Sequence, residues 1–230
     1  MVKSAASGSD SPLRRPEPVA ILGGTFDPVH HGHLRMAVAV ADALALSCVR
    51  LMPAGCPPHR PPSVAAARHR LAMARLAAAG VERLSVDDRE LRRSGPSYSV
   101  ETLTQLRAAV GAAPLVWILG ADAFARLATW RRWRDVLPLA HIAVYARPGS
   151  AVRPADAALR AEYARRVCRD RRAWRSTAGG RIVPVSGPQW DISATDIRAK
   201  LAQGETVRGL LPDAVLDYIR AQRVYARRRR

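Results

Sequence analysis

The sequence has few cysteines, almost no lysine and no long apolar run. Its three cysteines, Cys48, Cys56 and Cys168, are widely spaced and form no Cys-x-x-Cys pair, which argues against a disulfide framework or a zinc knuckle. No apolar run reaches the roughly 18 residues that a membrane helix requires. The first 17 residues are polar and lack the apolar centre of a secretory signal. These absences predict a cytoplasmic protein with no membrane partner.

The charge of the chain is strongly positive and comes almost entirely from arginine. Lysine and arginine together number 37 against 19 acidic residues, which gives a net charge of +18. Such a balance suits nucleic acid, but it also suits small phosphorylated substrates. The arginines are spread through predicted helices, and the dense cluster Arg227–Arg230 is typical of a solvated tail. We therefore predict no specific nucleic-acid partner.

Strands and helices alternate along the whole chain. Short apolar runs predict strands at 19–22, 49–52, 84–86, 115–119, 141–145 and 182–185, separated or followed by predicted helices at 34–46, 65–79, 99–110, 155–167, 194–203 and 212–221. This order predicts an α/β protein with a doubly wound parallel sheet, covered by helices on both faces. Ligands are then expected beyond the carboxyl ends of the strands, where the strand order reverses.

The length of 230 residues fits one domain. We place that domain at 18–225, between a disordered N-terminal tail at 1–17 and a basic C-terminal tail at 226–230. Within the domain, residues 87–97 are predicted to form a polar loop, and residues 170–180 are the best candidate for a mobile insertion.

The first predicted strand ends in a loop that is rich in glycine and histidine, from Gly23 to His33. Glycine lets backbone amides approach a ligand closely, and the helix that follows has an N-terminus that favours phosphate. His30 and His33 are three residues apart, so both rings can face one spot. The loop is neither a Walker A loop nor Gly-x-Gly-x-x-Gly. Zinc would need a third ligand from elsewhere, and packing alone explains three histidines in four residues poorly.

A second motif, Ile-Ser-Ala-Thr-Asp-Ile-Arg, ends at Arg198. Ser193 is a good N-cap, Thr195 falls in the first helical turn, and Arg198 follows one turn later. On its own, this pattern would indicate an ordinary capped helix.

Together, Gly-x-Phe-x-Pro-x-His-x-Gly-His and Ile-Ser-x-Thr-x-x-Arg resemble the nucleotidylyltransferase superfamily. Within it, several further stretches are similar to the bacterial nicotinate-nucleotide adenylyltransferases. They are Pro57-Pro-His-Arg60, Asp88-Arg-Glu-Leu91, Pro96-Ser-Tyr-Ser99, Gly120-Ala-Asp122, Thr129-Trp130 and Arg147-Pro-Gly149. The resemblance spans 19–225 and implies a Rossmann-like fold of the nucleotidylyltransferase type.

The resemblance also implies a reaction. The 5′-phosphate of nicotinate mononucleotide attacks the α-phosphorus of ATP without a covalent enzyme intermediate, which gives the dinucleotide of NAD biosynthesis and pyrophosphate. Mg²⁺ would assist while bound mainly through substrate phosphates, because the sequence shows no dedicated metal ligands.

The same resemblance assigns the site residues. The catalytic residues would be His30, His33 and Arg198. ATP would be bound by Gly23, Gly24, Thr25, Phe26, His30, His33, Ser193, Thr195 and Arg198. Nicotinate mononucleotide would be bound by His59, Arg60, Ser99, Asp122, Trp130 and Arg147, with Trp130 stacked on the pyridine ring and Asp122 on ribose.

The chain departs from the family pattern at two positions. Bacterial relatives often have Asn where this chain has Ala54, and Tyr where it has Arg131. Two other functions stay open: another adenylyltransferase of the superfamily, such as the phosphopantetheine type, and a basic nucleic-acid-binding protein that keeps the fold. The intact histidine pair and Arg198 argue against the second. The oligomeric state is not indicated by the sequence.

Overall fold

The computed structural model describes residues 16–58, 62–149, 152–170, 172–188 and 190–226. Its strands are β1 Val19–Gly24, β2 Val49–Pro53, β3 Leu84–Val86, β4 Leu115–Gly120, β5 His141–Ala146 and β6 Ile182–Ser186. Its helices are α1 His31–Ala43, α2 Ala67–Ala79, α3 Arg89–Arg92, α4 Ser99–Val110, α5 Ala121–Ala125, α6 Trp133–Leu139, α7 Ala157–Arg166, α8 Ala194–Gln203 and α9 Asp213–Ala221, with 3-10 turns at Leu127–Thr129 and Ala173–Ser176.

The six strands form one parallel sheet in the order β3-β2-β1-β4-β5-β6. The predicted doubly wound sheet is therefore confirmed. The strand order reverses between β1 and β4, whose register pairs Leu22 with Ile118. On the other side of β1, Gly24 pairs with Pro53. Because all strands are parallel, the carboxyl ends of β1, β2 and β4 lie at one edge, beside the point of reversal.

The core has two layers, one on each face of the sheet. Successive side chains of a strand point to opposite faces, so Leu22 packs in the layer with Val40 of α1, while Ile21 packs with Leu103 of α4. All four side chains are at most 4% exposed. Each fully buried aliphatic side chain contributes about 1.5–3 kcal/mol, so both layers hold the carboxyl edge rigidly.

Two local expectations were wrong. Residues 87–97 are not a continuous loop, because the short helix α3 lies within them. The segment at 170–180 was expected to be a mobile insertion, yet Trp174 is completely buried. Its ring meets the edge of His141 at 5.4 Å between centroids, and Arg175 donates to the Leu44 carbonyl at 2.9 Å. A large aromatic side chain within a polar run thus anchors the segment to the core.

The prediction also missed α5 and α6, and α1 begins at His31 rather than at residue 34. No helix in the described part of the chain combines the length and the apolar composition that a membrane span requires.

Candidate active site

Two clefts open side by side at the carboxyl edge of the sheet. The larger, here the histidine cleft, encloses about 660 Å³, and the smaller, here the tryptophan cleft, encloses about 280 Å³. Both are lined by Gly23, Gly24, Thr25, Leu119, Ala123 and Arg126. The histidine cleft adds Phe26, Asp27, His33, Ser63, Val64, Asp122, Thr195 and Arg198, among others. The tryptophan cleft adds Ala54, Pro57, Glu90, Ser97, Tyr98, Ser99, Trp117, Thr129, Trp130 and Arg131, among others.

The shared wall depends on glycine. A Cβ on Gly23 would lie 3.1 Å from Cζ2 of Trp117, and a Cβ on Gly24 would lie 2.8 Å from Cε1 of Phe26. Contacts this short force the neighbouring rings to move. The glycines predicted to line the ATP site therefore do line a cleft, and they also let two aromatic rings pack directly against the end of β1.

The two predicted catalytic histidines are in contact. Their rings stack with centroids 3.7 Å apart, and the backbone amide of His30 donates to Nδ1 of His33 at 3.3 Å. The edge of Phe26 meets the His33 ring at 5.0 Å between centroids. A neutral imidazole that accepts at Nδ1 carries its proton on Nε2. His33 lines the histidine cleft, so the geometry fixes both its position and its tautomer.

His30 lies deeper than His33. Its side chain is buried, and it is not among the residues that line the cleft. Burial, followed by the charge of His31, lowers the pKa of His30 from its ordinary 6.5 to about 4. His30 is therefore neutral at physiological pH, and direct contact with a phosphate would require its ring to become exposed.

The second motif adopts the predicted capped helix. The hydroxyl of Ser193 accepts from the amide of Thr195 at 3.2 Å, which caps α8. Arg198 then reaches the loop from Gly23 to His33, here the histidine loop, where its Nη1 donates to the Asp27 carbonyl at 2.7 Å. Its Nη2 lies 3.3 Å from the hydroxyl of Thr195 on its own helix. Thr195 and Arg198 line the histidine cleft, whereas Ser193 does not and serves as the cap.

An arginine that the sequence did not single out joins the loops after β1 and β2. Arg70 of α2 is only 2% exposed. Its Nη1 donates to the carbonyls of Thr25 at 2.9 Å and Ala54 at 2.6 Å, and its Nη2 to that of Gly55 at 3.3 Å. Because one buried guanidinium bonds to carbonyls of both loops, Arg70 fixes the backbone of both clefts. Ala54 thereby acts through its carbonyl, although it lacks the amide side chain that relatives often have.

The far end of the loop after β2 is held by a carboxylate. Asp27 accepts from the amides of Val64 at 2.7 Å and Ala65 at 3.1 Å. Asp27 is 5% exposed, so these charge-assisted bonds are shielded from water and strong.

The tryptophan cleft brings together aromatic and polar side chains. Trp130 and Ser99, both predicted to bind the mononucleotide, line it together with Trp117. The guanidinium of Arg131 lies 4.6 Å from the ring centre of Tyr98. The amide of Trp130 donates to the Leu127 carbonyl at 3.0 Å, so it is already used within the protein.

A buried carboxyl supports the opposite wall of the tryptophan cleft. Glu90 accepts from the Thr102 hydroxyl at 2.7 Å and from the Gly55 amide at 3.4 Å. A Cβ on Gly55 would lie 2.4 Å from the Glu90 carbonyl oxygen, so only glycine lets the two backbone segments come this close.

The structure does not place the other four residues predicted to bind the mononucleotide in the tryptophan cleft. His59 and Arg60 lie outside the described residues. Asp122 lines the histidine cleft and not the tryptophan cleft, where the mononucleotide was expected. Arg147 follows β5 as an exposed residue and lines neither cleft. The ligand contacts assigned to these four residues stay predictions.

Comparison with known proteins gives a consistent result. The cytidylyltransferase-like family matches residues 21–200. A protein of Chromobacterium violaceum named "Probable nicotinate-nucleotide adenylyltransferase" is 49% identical over 209 residues, which is 90% of this chain and 98% of the relative. A protein of the same name from Acidithiobacillus ferrooxidans is 46% identical over 90% of this chain and 95% of the relative.

A solved structure supports the fold. The nicotinic acid mononucleotide adenylyltransferase of Plasmodium falciparum, complexed with NaAD, superposes with a TM-score of 0.68. The match covers 91% of this chain and 97% of that chain at 14% sequence identity.

Proposed function

The chain belongs to the nicotinate-nucleotide adenylyltransferase family, and we propose that its two clefts hold ATP and nicotinate mononucleotide for adenylyl transfer in the cytoplasm. One observation carries this proposal. The clefts share the wall formed by Gly23, Gly24 and Thr25, so the phosphate of a ligand in one cleft can reach a phosphate of the ligand in the other.

The character of each cleft suggests its occupant. The histidine cleft combines His33, Arg198 and the N-terminal turn of α8 at Ala194 and Thr195, and such groups favour a triphosphate. The tryptophan cleft contains Tyr98, Trp117 and Trp130, which suit a pyridine ring. We assign ATP to the histidine cleft and the mononucleotide to the tryptophan cleft. Asp122 then lies beside the ribose of ATP.

The chemistry needs alignment and charge stabilisation more than covalent participation. An oxygen of the mononucleotide phosphate bonds to the α-phosphorus of ATP, while the bond from that phosphorus to the β-phosphate oxygen breaks and pyrophosphate leaves. Nε2–H of His33 donates to the phosphate oxygens as their charge grows. Arg198 and Thr195 bind the leaving phosphates, and His30 positions His33 through its backbone amide and stacked ring.

Mg²⁺ fits this cleft as part of the ATP complex. The Asp27 carboxylate is already engaged by two amides, and no group of three potential metal-ligating side chains occurs within the described residues. The ion would therefore be held by the substrate phosphates and water. When bound, it neutralises part of the triphosphate charge.

Recognition of the nicotinate carboxylate falls to amides beside the pyridine ring. The Trp130 amide is used by the Leu127 carbonyl, so the amide of the next residue, Arg131, is the donor that we propose. This contact involves the backbone, and the replacement of the family's tyrosine by Arg131 leaves it intact.

The proposal is tested by the release of pyrophosphate from ATP with one acceptor at a time. Nicotinate mononucleotide should support the fastest release, nicotinamide mononucleotide slower release, and phosphopantetheine none. Release with phosphopantetheine alone would instead identify the other adenylyltransferase type. Retention on DNA that weakens with salt, without any pyrophosphate release, would favour the nucleic-acid-binding alternative.

A further inference from the structure

The boundary between the two clefts is occupied by a cationic side chain with no role so far. Arg126 ends α5, and its carbonyl accepts from both the amide and the hydroxyl of Thr129, at 3.0 and 2.8 Å. Its own amide donates to the Ala123 carbonyl at 3.2 Å. The backbone of Arg126 is thus fixed on both sides, which limits where the side chain can reach.

Arg126 differs from the other cations of the site. It lines both clefts, whereas Arg198 lines only the histidine cleft and Arg131 only the tryptophan cleft. Arg198 already donates to the Asp27 carbonyl, and Arg131 lies over the Tyr98 ring. Within the described ranges, the Arg126 guanidinium makes no hydrogen bond or ion pair. Its planar fork of donors is therefore available to a ligand.

From this placement we propose that Arg126 binds the phosphate of the mononucleotide and the α-phosphate of ATP together, at the junction of the clefts. The inference rests on the proposed function, because only that reaction brings one phosphate from each side to this point. Two anions that approach each other repel, and a guanidinium can offset this repulsion by donating to both through separate N–H groups. After transfer, the same guanidinium would contact the new diphosphate linkage of the dinucleotide.

The test compares three variants of the full-length protein by steady-state kinetics. Arg126→Gln removes the charge, and Arg126→Lys keeps it without the planar fork. Arg134→Gln is the matched control, because Arg134 is an exposed arginine that lies over Trp133 and lines neither cleft. It removes the same charge from a neighbouring part of the surface. Melting temperatures check that every variant is folded.

We expect Arg126→Gln to lower kcat/KM for the mononucleotide by about 10- to 100-fold, the usual cost of losing a hydrogen bond to a charged group. It should also lower kcat, because the contact to the α-phosphate strengthens during transfer. Arg126→Lys should recover part of the loss, and Arg134→Gln should lose less than about threefold.

Two results would overturn the inference. One is an Arg126→Gln variant whose kcat and whose kcat/KM for the mononucleotide are the same as those of Arg134→Gln. The other is a loss that Arg126→Lys does not reduce and that follows a lowered melting temperature, since this would indicate a structural role. Failure of the proposed function has a different signature, because the wild-type chain itself would then release no pyrophosphate with nicotinate mononucleotide.

Discussion

The hydroxyl of Tyr225 donates to Oδ1 of Asp27 at 2.6 Å and so connects residues 198 positions apart. Burial, and then the hydrogen bond to Asp27, raises the pKa of Tyr225 above its ordinary value, so the hydroxyl stays protonated at neutral pH. The same carboxylate accepts from the amides of Val64 and Ala65. One side chain in the histidine loop thereby joins the loop after β2 to the end of the chain.

Replacing Tyr225 should loosen the histidine cleft. Tyr225→Phe leaves the carboxylate with one donor fewer, so we expect the free energy of unfolding to fall by about 1–3 kcal/mol. The KM for ATP should rise more than the KM for the mononucleotide, because Asp27 and Val64 line only the histidine cleft. Urea unfolding and two-substrate kinetics measure both effects. Tyr163→Phe is the control, since Tyr163 packs beside Phe124, away from the clefts; an equal change in it would contradict the prediction.

Truncation separates the basic tail from this contact. Removal of residues 227–230 should leave kcat/KM nearly unchanged, because the predicted site does not include them. Removal of 225–230 should reproduce the rise in the KM for ATP expected for Tyr225→Phe and should lower stability further, because it also deletes the ring, which packs against the core. Kinetics of the two truncated chains provide the check. A large loss of kcat/KM on removal of 227–230 alone would show that the arginines contribute to the site.

His33 should act on the chemical step. His33→Ala removes a donor whose contact strengthens in the transition state, so kcat should fall by about 10²–10³-fold while ATP binding changes little. Single-turnover rates and equilibrium binding of ATP distinguish the two parameters. Near wild-type turnover in a folded variant would refute the catalytic assignment of His33.

Burial of His30 predicts a pH dependence of stability. Its pKa is 6.5 in the unfolded chain and about 4 in the folded one, so the unfolded state binds more protons between these values. The free energy of unfolding should therefore fall as the pH decreases through that range, by about 3 kcal/mol from His30. His31 and His141, whose pKa values burial also lowers, add to the slope.

The measurement compares urea unfolding of wild type and His30→Asn at about pH 7 and about pH 5. The variant should lose less stability on acidification than the wild type does. Equal losses would mean that His30 is not neutral in the folded protein.

The tryptophan cleft should select the acceptor. Nicotinate carries a carboxylate, whereas the NH2 group of nicotinamide would face the proposed Arg131 amide and leave that donor unpaired, at a cost of about 1–3 kcal/mol. We expect at least a tenfold preference for nicotinate mononucleotide in kcat/KM. Trp130→Ala should raise the KM for the mononucleotide and leave that for ATP mostly unchanged. Equal kcat/KM values for the two acceptors would rule out a carboxylate-selective cleft.

The sequence predicts the sheet well because each strand is a compact apolar run, as at 115–119, and short-range patterns identify such runs. It also predicts the histidine loop and the cap of α8, because each of them is a short motif of neighbouring residues. Arg70 and Tyr225 could not be found in this way. In the sequence, Arg70 resembles any other arginine on a predicted helix, and Tyr225 lies just before a basic tail. The residues that they contact are far away in the chain. The separation of Asp122 from Trp130 into different clefts likewise depends on how α5 meets the sheet edge.

The common wall of the two clefts has a thermodynamic consequence. A ligand on either side contacts the same backbone from Gly23 to Thr25, so a shift of that wall caused by one ligand changes the surface that the other meets. The two substrates are therefore expected to bind with a non-zero coupling free energy, which is reciprocal by necessity. The dinucleotide product would hold the wall from both sides at once, and its dissociation would have to release both contacts.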